Sequence, residues 1–156
     1  MTAGAGYIYY SLTGPDTEEF YLSLGLDVPL SPSITVYRDV SQFRGWYINL
    51  GLSHSFALPK NISLDLSGSA GYYYSTDDNF VSYNDQLVAT TNRYKALHNG
   101  LLSAGLAIPL DKHFTLTPSL SYSFPLSNKA DNLLKATSRS NRSDFLFGGI
   151  TLSLAF

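Results

Sequence analysis

Apolar and polar residues alternate at period two through most of the chain, which predicts β-strands rather than helices. Phe20, Leu22, Leu24, Leu26, Val28 and Leu30 occupy every even position of their segment, while the odd positions are mostly small or polar. The same parity recurs in Ile48 to Leu58, with His54 its one polar member. It recurs again in Ile62 to Tyr74, Leu102 to Leu110, Phe114 to Leu126 and Leu146 to Phe156. Adding Ile34 with Val36 and a first segment within Ala3 to Leu12 gives eight expected strands. No helical period competes, apart from a turn near Leu133 and Leu134. Ser31-Pro32-Ser33, Pro59-Lys60-Asn61 and Asp111-Lys112-His113 are short turn-forming connections. The other connections, Gly14 to Glu19, Asp39 to Gly45, Thr76 to Lys95 and Asn128 to Arg142, are generally longer and hold most of the charge. One end is therefore expected to be tight and the other loopy.

Composition changes what the two faces mean. Of 156 residues 14% are charged and 14% aromatic, with a net charge of −2 and no cysteine. A soluble domain carries about a quarter charged residues, and the odd face here is Ser, Thr and Gly rather than Lys and Glu. Turning the Leu-bearing face toward lipid removes that contradiction. Tyr72, Tyr74, Tyr122 and Phe124 then fall at one end of their strands and Phe56, Phe114 and Phe156 at the other, as two interfacial aromatic girdles require. The charge balance excludes phosphate neutralisation of the kind nucleic-acid binding needs. The lack of cysteine removes disulfides and thiolate chemistry. No run of about 18 apolar residues and no basic, apolar leader is present, so neither a spanning helix nor a signal peptide is expected.

Backbone groups cannot stay unpaired in hydrocarbon, so lipid-facing strands must close on themselves. The expected fold is all-β: residues 1–156 as a single domain, an eight-stranded antiparallel transmembrane up-and-down β-barrel with both termini on the periplasmic side. Its closure would pair the first strand with the last. The first strand reads either with Tyr7 and Tyr9 outward and Gly4 and Gly6 inward, or the reverse.

The closing segment, Gly149-Ile-Thr-Leu152-Ser-Leu154-Ala-Phe156, resembles the terminal signature of bacterial outer-membrane β-barrels: a glycine, two alternate apolar residues and a final aromatic. Phe147 departs from that pattern, which usually has a polar residue there. The resemblance implies that Gly149, Leu152, Leu154 and Phe156 are read by the barrel-assembly machinery, with the bilayer and lipopolysaccharide as further partners. Ala5-Gly-Tyr-Ile-Tyr-Tyr10, Glu19-Phe-Tyr, Asp27-Val-Pro-Leu30, Thr35-Val-Tyr and Leu52-Ser-His-Ser-Phe56 also resemble the C-terminal portion of an uncharacterised proteobacterial porin-like family of about twelve strands. That likeness makes the chain a truncation of a larger ring.

Asp27, Asp39, Asp65, Asn49, Tyr21, Tyr37, Tyr47 and Tyr73 are the expected lumen-lining residues, the acids either setting cation preference or held by Ser, Tyr and backbone donors. About two-thirds of the inward set is Gly, Ala, Ser or Thr, which underfills an eight-stranded interior and predicts a wet lumen. His54 and Ser55 are adjacent on a strand and point to opposite faces, so they form no nucleophile and base without a bulge. His98 and His113 are too scattered for a metal site. Lys129, Lys135, Arg139 and Arg142 outweigh Asp131 in their loop and are candidates for lipopolysaccharide phosphates. Thr76 to Lys95, with Phe80, Tyr83 and Tyr94, is a candidate lid or contact surface.

The expected function is a non-enzymatic, monomeric, porin-like or structural barrel of the bacterial outer membrane, without a cofactor. The alternatives are a surface-interaction barrel whose loops bind a partner or lipopolysaccharide, and an outer-membrane lipid-modifying enzyme.

Overall fold

The computed structural model describes residues 1–11 and 15–156; Leu12 and Gly14, which end and follow the first expected segment, lie outside them. The strands are β1 (Thr2–Tyr10), β2 (Thr17–Gly25), β3 (Ser33–Asp39), β4 (Gly45–Ala57), β5 (Ser63–Ser75), β6 (Val81–Tyr83), β7 (Ala89–Arg93), β8 (Lys95–Pro109), β9 (Phe114–Pro125) and β10 (Phe145–Leu154). One helix, α1 (Asn128–Thr137), precedes β10. Eight strands form one antiparallel sheet in the order β1-β2-β3-β4-β5-β8-β9-β10, and β6 pairs with β7 in a separate hairpin. All eight expected segments are thus strands of one sheet.

Two of the short turns, at Pro59-Lys60-Asn61 and Asp111-Lys112-His113, form where expected; the one at Ser31-Pro32-Ser33 is wider, because β2 ends at Gly25 and residues 26–32, expected to continue the strand to Leu30, form the connection to β3. Leu26 N donates to Pro32 O at 2.9 Å, Leu58 N to Ile62 O at 2.8 Å and Leu110 N to Phe114 O at 2.8 Å. In the last of these the Asp111 carboxylate also accepts from His113 N at 2.6 Å and Phe114 N at 2.9 Å, the side-chain turn that aspartate favours.

The register sorts side chains by parity. Phe20, Leu22 and Leu24 share one face with Leu50, Leu52, Leu102 and Leu120, and all are exposed. The opposite face carries Tyr21, Ser23, Tyr37, Tyr47, Asn49 and Tyr73, all half-buried. In β1 the half-buried residues are Gly4, Gly6 and Ile8, so Tyr7 and Tyr9 lie on the Leu-bearing face.

The expected closure is not met: β1 and β10 are the two edges of the sheet, and no backbone ladder joins them. The polar face between them is largely Ser, Thr and Gly, which offers little apolar area to draw the walls together. At the loop end both edges border one cavity, lined by tyrosine rings and by Leu134 of α1.

The buried core is small and lies entirely at the loop end. Among the described residues the buried apolar side chains are Tyr94, Ala96, Ala130 and Leu133, with Tyr73, Phe80 and Tyr83 packed against them. The chain exposes 10355 Å². A compact soluble protein of its 17.1 kDa mass exposes about 7,800 Å². The excess is the unpacked sheet wall, where Leu50 is 55% and Ile150 73% exposed.

Candidate functional site

A cavity of about 530 Å³ takes lining residues from every strand of the large sheet. Ile8 and Tyr10 come from β1, Glu19 from β2, Tyr37 from β3, Tyr47 from β4 and Tyr73 from β5. His98 and Asn99 come from β8, Ser123 from β9 and Phe145 from β10, with Leu134 of α1 above them.

The tyrosines form a ladder across neighbouring strands. Ring centroids step from Tyr21 to Tyr37 at 5.9 Å, to Tyr47 at 5.9 Å and to Tyr73 at 6.5 Å. Glycines make room for them. A Cβ on Gly71 would lie 2.6 Å from the Tyr47 ring, and one on Gly45 would lie 2.9 Å from the Tyr73 ring carbon that bears the hydroxyl. A side chain at either glycine would push the ring out of its row.

His98 and Asn99 reach the cavity through a break in the ladder. Ala70 pairs with Gly100, but Tyr72 pairs with Leu97, so β8 carries one residue more than β5 across this step. That bulge lets two consecutive side chains enter the same space. Its freed carbonyls are satisfied from the end of β9. His98 O accepts from Leu126 N at 3.1 Å and Leu97 O from Ser127 Oγ at 2.7 Å. Ser127 Oγ also accepts from Ala130 N at 3.2 Å, capping α1 and anchoring the helix beside the bulge.

The polar groups are mostly committed to one another. Tyr47 OH donates to Asn99 Oδ1 at 2.8 Å, Tyr73 OH to Phe43 O at 2.8 Å and Tyr10 OH to Glu19 Oε2 at 3.2 Å. Tyr94 OH is 2.7 Å from His98 Nδ1. With the hydroxyl donating, Nδ1 accepts and Nε2 carries the ring hydrogen. Tyr94 is fully buried, and burial raises its phenol pKa above the ordinary value, so the hydroxyl keeps its proton. The lining can therefore offer hydroxyls, an amide, an imidazole and one carboxylate to water or a small polar solute. Asn49 Oδ1 is buried without a partner on the same side of the sheet, outside the cavity lining.

Of the expected lumen residues, Tyr37, Tyr47 and Tyr73 line the cavity and Tyr21 continues their ladder. Asp39 is buried and fully engaged: Thr17 Oγ1 donates to it at 2.7 Å, Ser41 N at 2.9 Å and Phe43 N at 3.3 Å, which shapes the β3–β4 connection. Asp27 lies in the exposed turn after β2. Asp65 is exposed in β5, with Ser63 Oγ at 3.5 Å. His54 packs edge-on against Phe56 at 4.5 Å, on the face opposite Ser55. Among the described residues no cluster of His, Asp and Glu could hold a metal.

In the 128–142 loop, Lys135 pairs with Asp131 at 2.7 Å and Arg142 reaches Asp144 at 3.8 Å, while Lys129 and Arg139 are exposed. Gly149, Leu152, Leu154 and Phe156 lie along the exposed β10 edge and just beyond it.

The pattern reading passed over Tyr10, Glu19, Asn99 and the pairing of His98 with Tyr94. One signal for the last two was present: Leu97 and Leu102 both sit on the Leu-bearing face, yet they are five positions apart. An odd spacing on one face requires an extra residue between. Comparisons of the chain with protein-family models, with curated proteins and with solved structures find no match.

Proposed function

We propose that the chain is the wall of a non-enzymatic β-barrel of a bacterial outer membrane, its Leu-bearing face on acyl chains and its Ser- and Tyr-bearing face around a hydrated lumen. One observation carries this reading: apart from Tyr10, Phe145 and Phe147, the exposed large apolar side chains of the sheet share a single face, while the core is confined to a few residues at one end. Water disfavours such a continuous apolar wall, and hydrocarbon does not. Most strands of the wall have 9 to 15 residues, enough to cross at about 9–11 tilted residues. In the bilayer each unpaired backbone group costs several kcal/mol. That penalty drives the β1 and β10 edges, which already border one cavity, to pair with each other. Small polar solutes would then diffuse along the lumen, restricted at the loop end by Phe80, Tyr94 and α1.

Two measurements test the reading. Refolded in detergent, the chain is expected to migrate faster unboiled than boiled on a gel, as closed barrels do. In planar bilayers it is expected to pass small currents that rise several-fold when residues 78–92 are removed; silence from both forms would refute a conducting lumen.

The unpaired edges and the small inward side chains also favour a second reading, in which these strands are part of a wider ring of about twelve. Cysteine pairs placed across β1 and β10 separate the two. Disulfides within one chain mean a closed ring of eight, and their failure in a heat-modifiable product means the wider one.

A further inference from the structure

A second cleft, of about 520 Å³, opens among the β6–β7 hairpin, the loop ends of β5 and β8 and the start of α1. Its volume falls in the range of small-ligand sites, about 300–1,000 Å³. Arg93, Lys95 and Lys129 line it, and no carboxylate does. Of the nearby acids, Asp78 is paired with Arg93 at 2.6 Å. Asp131 is held by Lys135 at 2.7 Å and by Ser143 Oγ at 2.5 Å, so it does not neutralise Lys129. Asp85 accepts from Asn132 at 3.0 Å. Lys129 also stands in the first turn of α1, where the helix dipole is positive and a cation is disfavoured. With Arg93 paired to Asp78, Lys95 and Lys129 are the two cations that line this cleft without a carboxylate beside them in its lining.

An independent observation points to the same ligand. Ser82 lines the cleft, is only 5% exposed, and its Oγ has no hydrogen-bond partner. Buried hydroxyls nearly always find one. An anionic oxygen would accept from it while meeting the two lysines.

The position of the cleft identifies the source of the anion. Lys95 is in register with Tyr74, which pairs in turn with Trp46 on the Leu-bearing face. Tyr74 lines the cleft as well. Tyrosine and tryptophan at the end of a lipid-facing wall mark the level where acyl chains give way to headgroups. We propose that this cleft binds a phosphate monoester of an outer-leaflet lipid headgroup, with Lys95 and Lys129 as its counter-charges and Ser82 Oγ as a donor. The lipid source rests on the membrane reading above; the anion chemistry does not.

The test uses the full chain refolded in zwitterionic detergent, titrated calorimetrically with three probes: inorganic phosphate, a phosphorylated glucosamine lipid in mixed micelles, and the same lipid dephosphorylated. The phosphorylated lipid is expected to bind best, and more weakly as salt rises. The double variant K95Q/K129Q is expected to lose roughly tenfold or more in affinity, and Ser82→Ala a smaller factor. Lys112→Gln, in the β8–β9 turn at the opposite end of the sheet, should match the parent. Amide-exchange protection of the β6–β7 hairpin in each variant shows that the cleft is still assembled. Unchanged affinity in K95Q/K129Q overturns the cleft, whatever the gel-shift result. Lysine-dependent binding of inorganic phosphate with no gain for the lipid ester overturns the headgroup assignment. A failed gel shift with lysine-dependent phosphate binding refutes the membrane reading and keeps the anion site.

Discussion

The two ends of the sheet are built on different physics. At the loop end, the β6–β7 hairpin and α1 fold onto the inward tyrosines and enclose Tyr94 and Leu133 in a packed core. Phe80 anchors this arrangement, with ring contacts to Tyr73 at 5.1 Å, Tyr94 at 5.6 Å and Phe43 at 6.5 Å. At the turn end there is no such core. A shallow cavity of about 440 Å³ is bordered by Ser53, Ser55, Asp65 and Ser67, all exposed. Side-chain packing thus stabilises one end, whereas backbone ladders and the surrounding medium must stabilise the rest. The contrast explains how a wall with little interior can carry a well-formed site at its rim.

The contrast breaks most sharply at the wall. Leu50→Arg places a charge on the exposed Leu-bearing face, and in a bilayer it should cost about 2–4 kcal/mol at mid-depth. A solvent-exposed position would tolerate the same change within about 0.5 kcal/mol. Denaturant titration in lipid vesicles distinguishes the two. Leu133→Ala acts on the other region: it removes a buried side chain and should cost about 2–4 kcal/mol, confined to the loop end. Amide exchange should accelerate in α1 and residues 81–93 while β3 and β4 keep their protection.

Gly71→Val probes the junction between the two regions. It displaces the Tyr47 ring and its bond to Asn99 at about 1–3 kcal/mol, the usual cost of overpacking. Gly71→Ala should lose less. The smallest expected effect is electrostatic. The Lys135 ammonium and then the Ser143 hydroxyl hold the Asp131 carboxyl below its ordinary pKa of 3.8. A depressed folded pKa contributes stability above the unfolded value, and that contribution is lost as pH falls through the folded one. Protection factors in α1, corrected for intrinsic exchange, should therefore fall on acidification below about 3.8, and Asp131→Asn should flatten that dependence.

The wall was legible in the sequence because it obeys one rule. Period-two alternation marks every strand of the large sheet and assigns the faces of all but β1, and the turns after β4 and β8 announce themselves through Pro, Asn and Asp. The loop end obeys several weaker rules at once. Val81–Tyr83 and Ala89–Arg93 are too short to show a period, and their turn is set by Asn84 Oδ1 accepting from Gln86 N at 3.1 Å and Val88 N at 2.9 Å. Helix α1 has only ten residues; beyond the turn expected at Leu133 and Leu134, its start rests on the Ser127 cap. The orientation of β1 was ambiguous because Gly and Tyr each suit either face. It is fixed by Gly6 receiving the Tyr21 ring, a contact visible only once β1 and β2 are in register. Ring closure was inferred from lipid rather than from any residue, and the free edges show that the chain alone does not impose it.

The most direct test of the central claim is a nitroxide scan along residues 48–53 of β4 in reconstituted bilayers, reading collisions with oxygen and with a water-soluble nickel complex. Oxygen access should peak at Ile48, Leu50 and Leu52 and fall at Asn49, Gly51 and Ser53. Nickel access peaking at the leucine positions would mean that this face meets water, and would contradict the account.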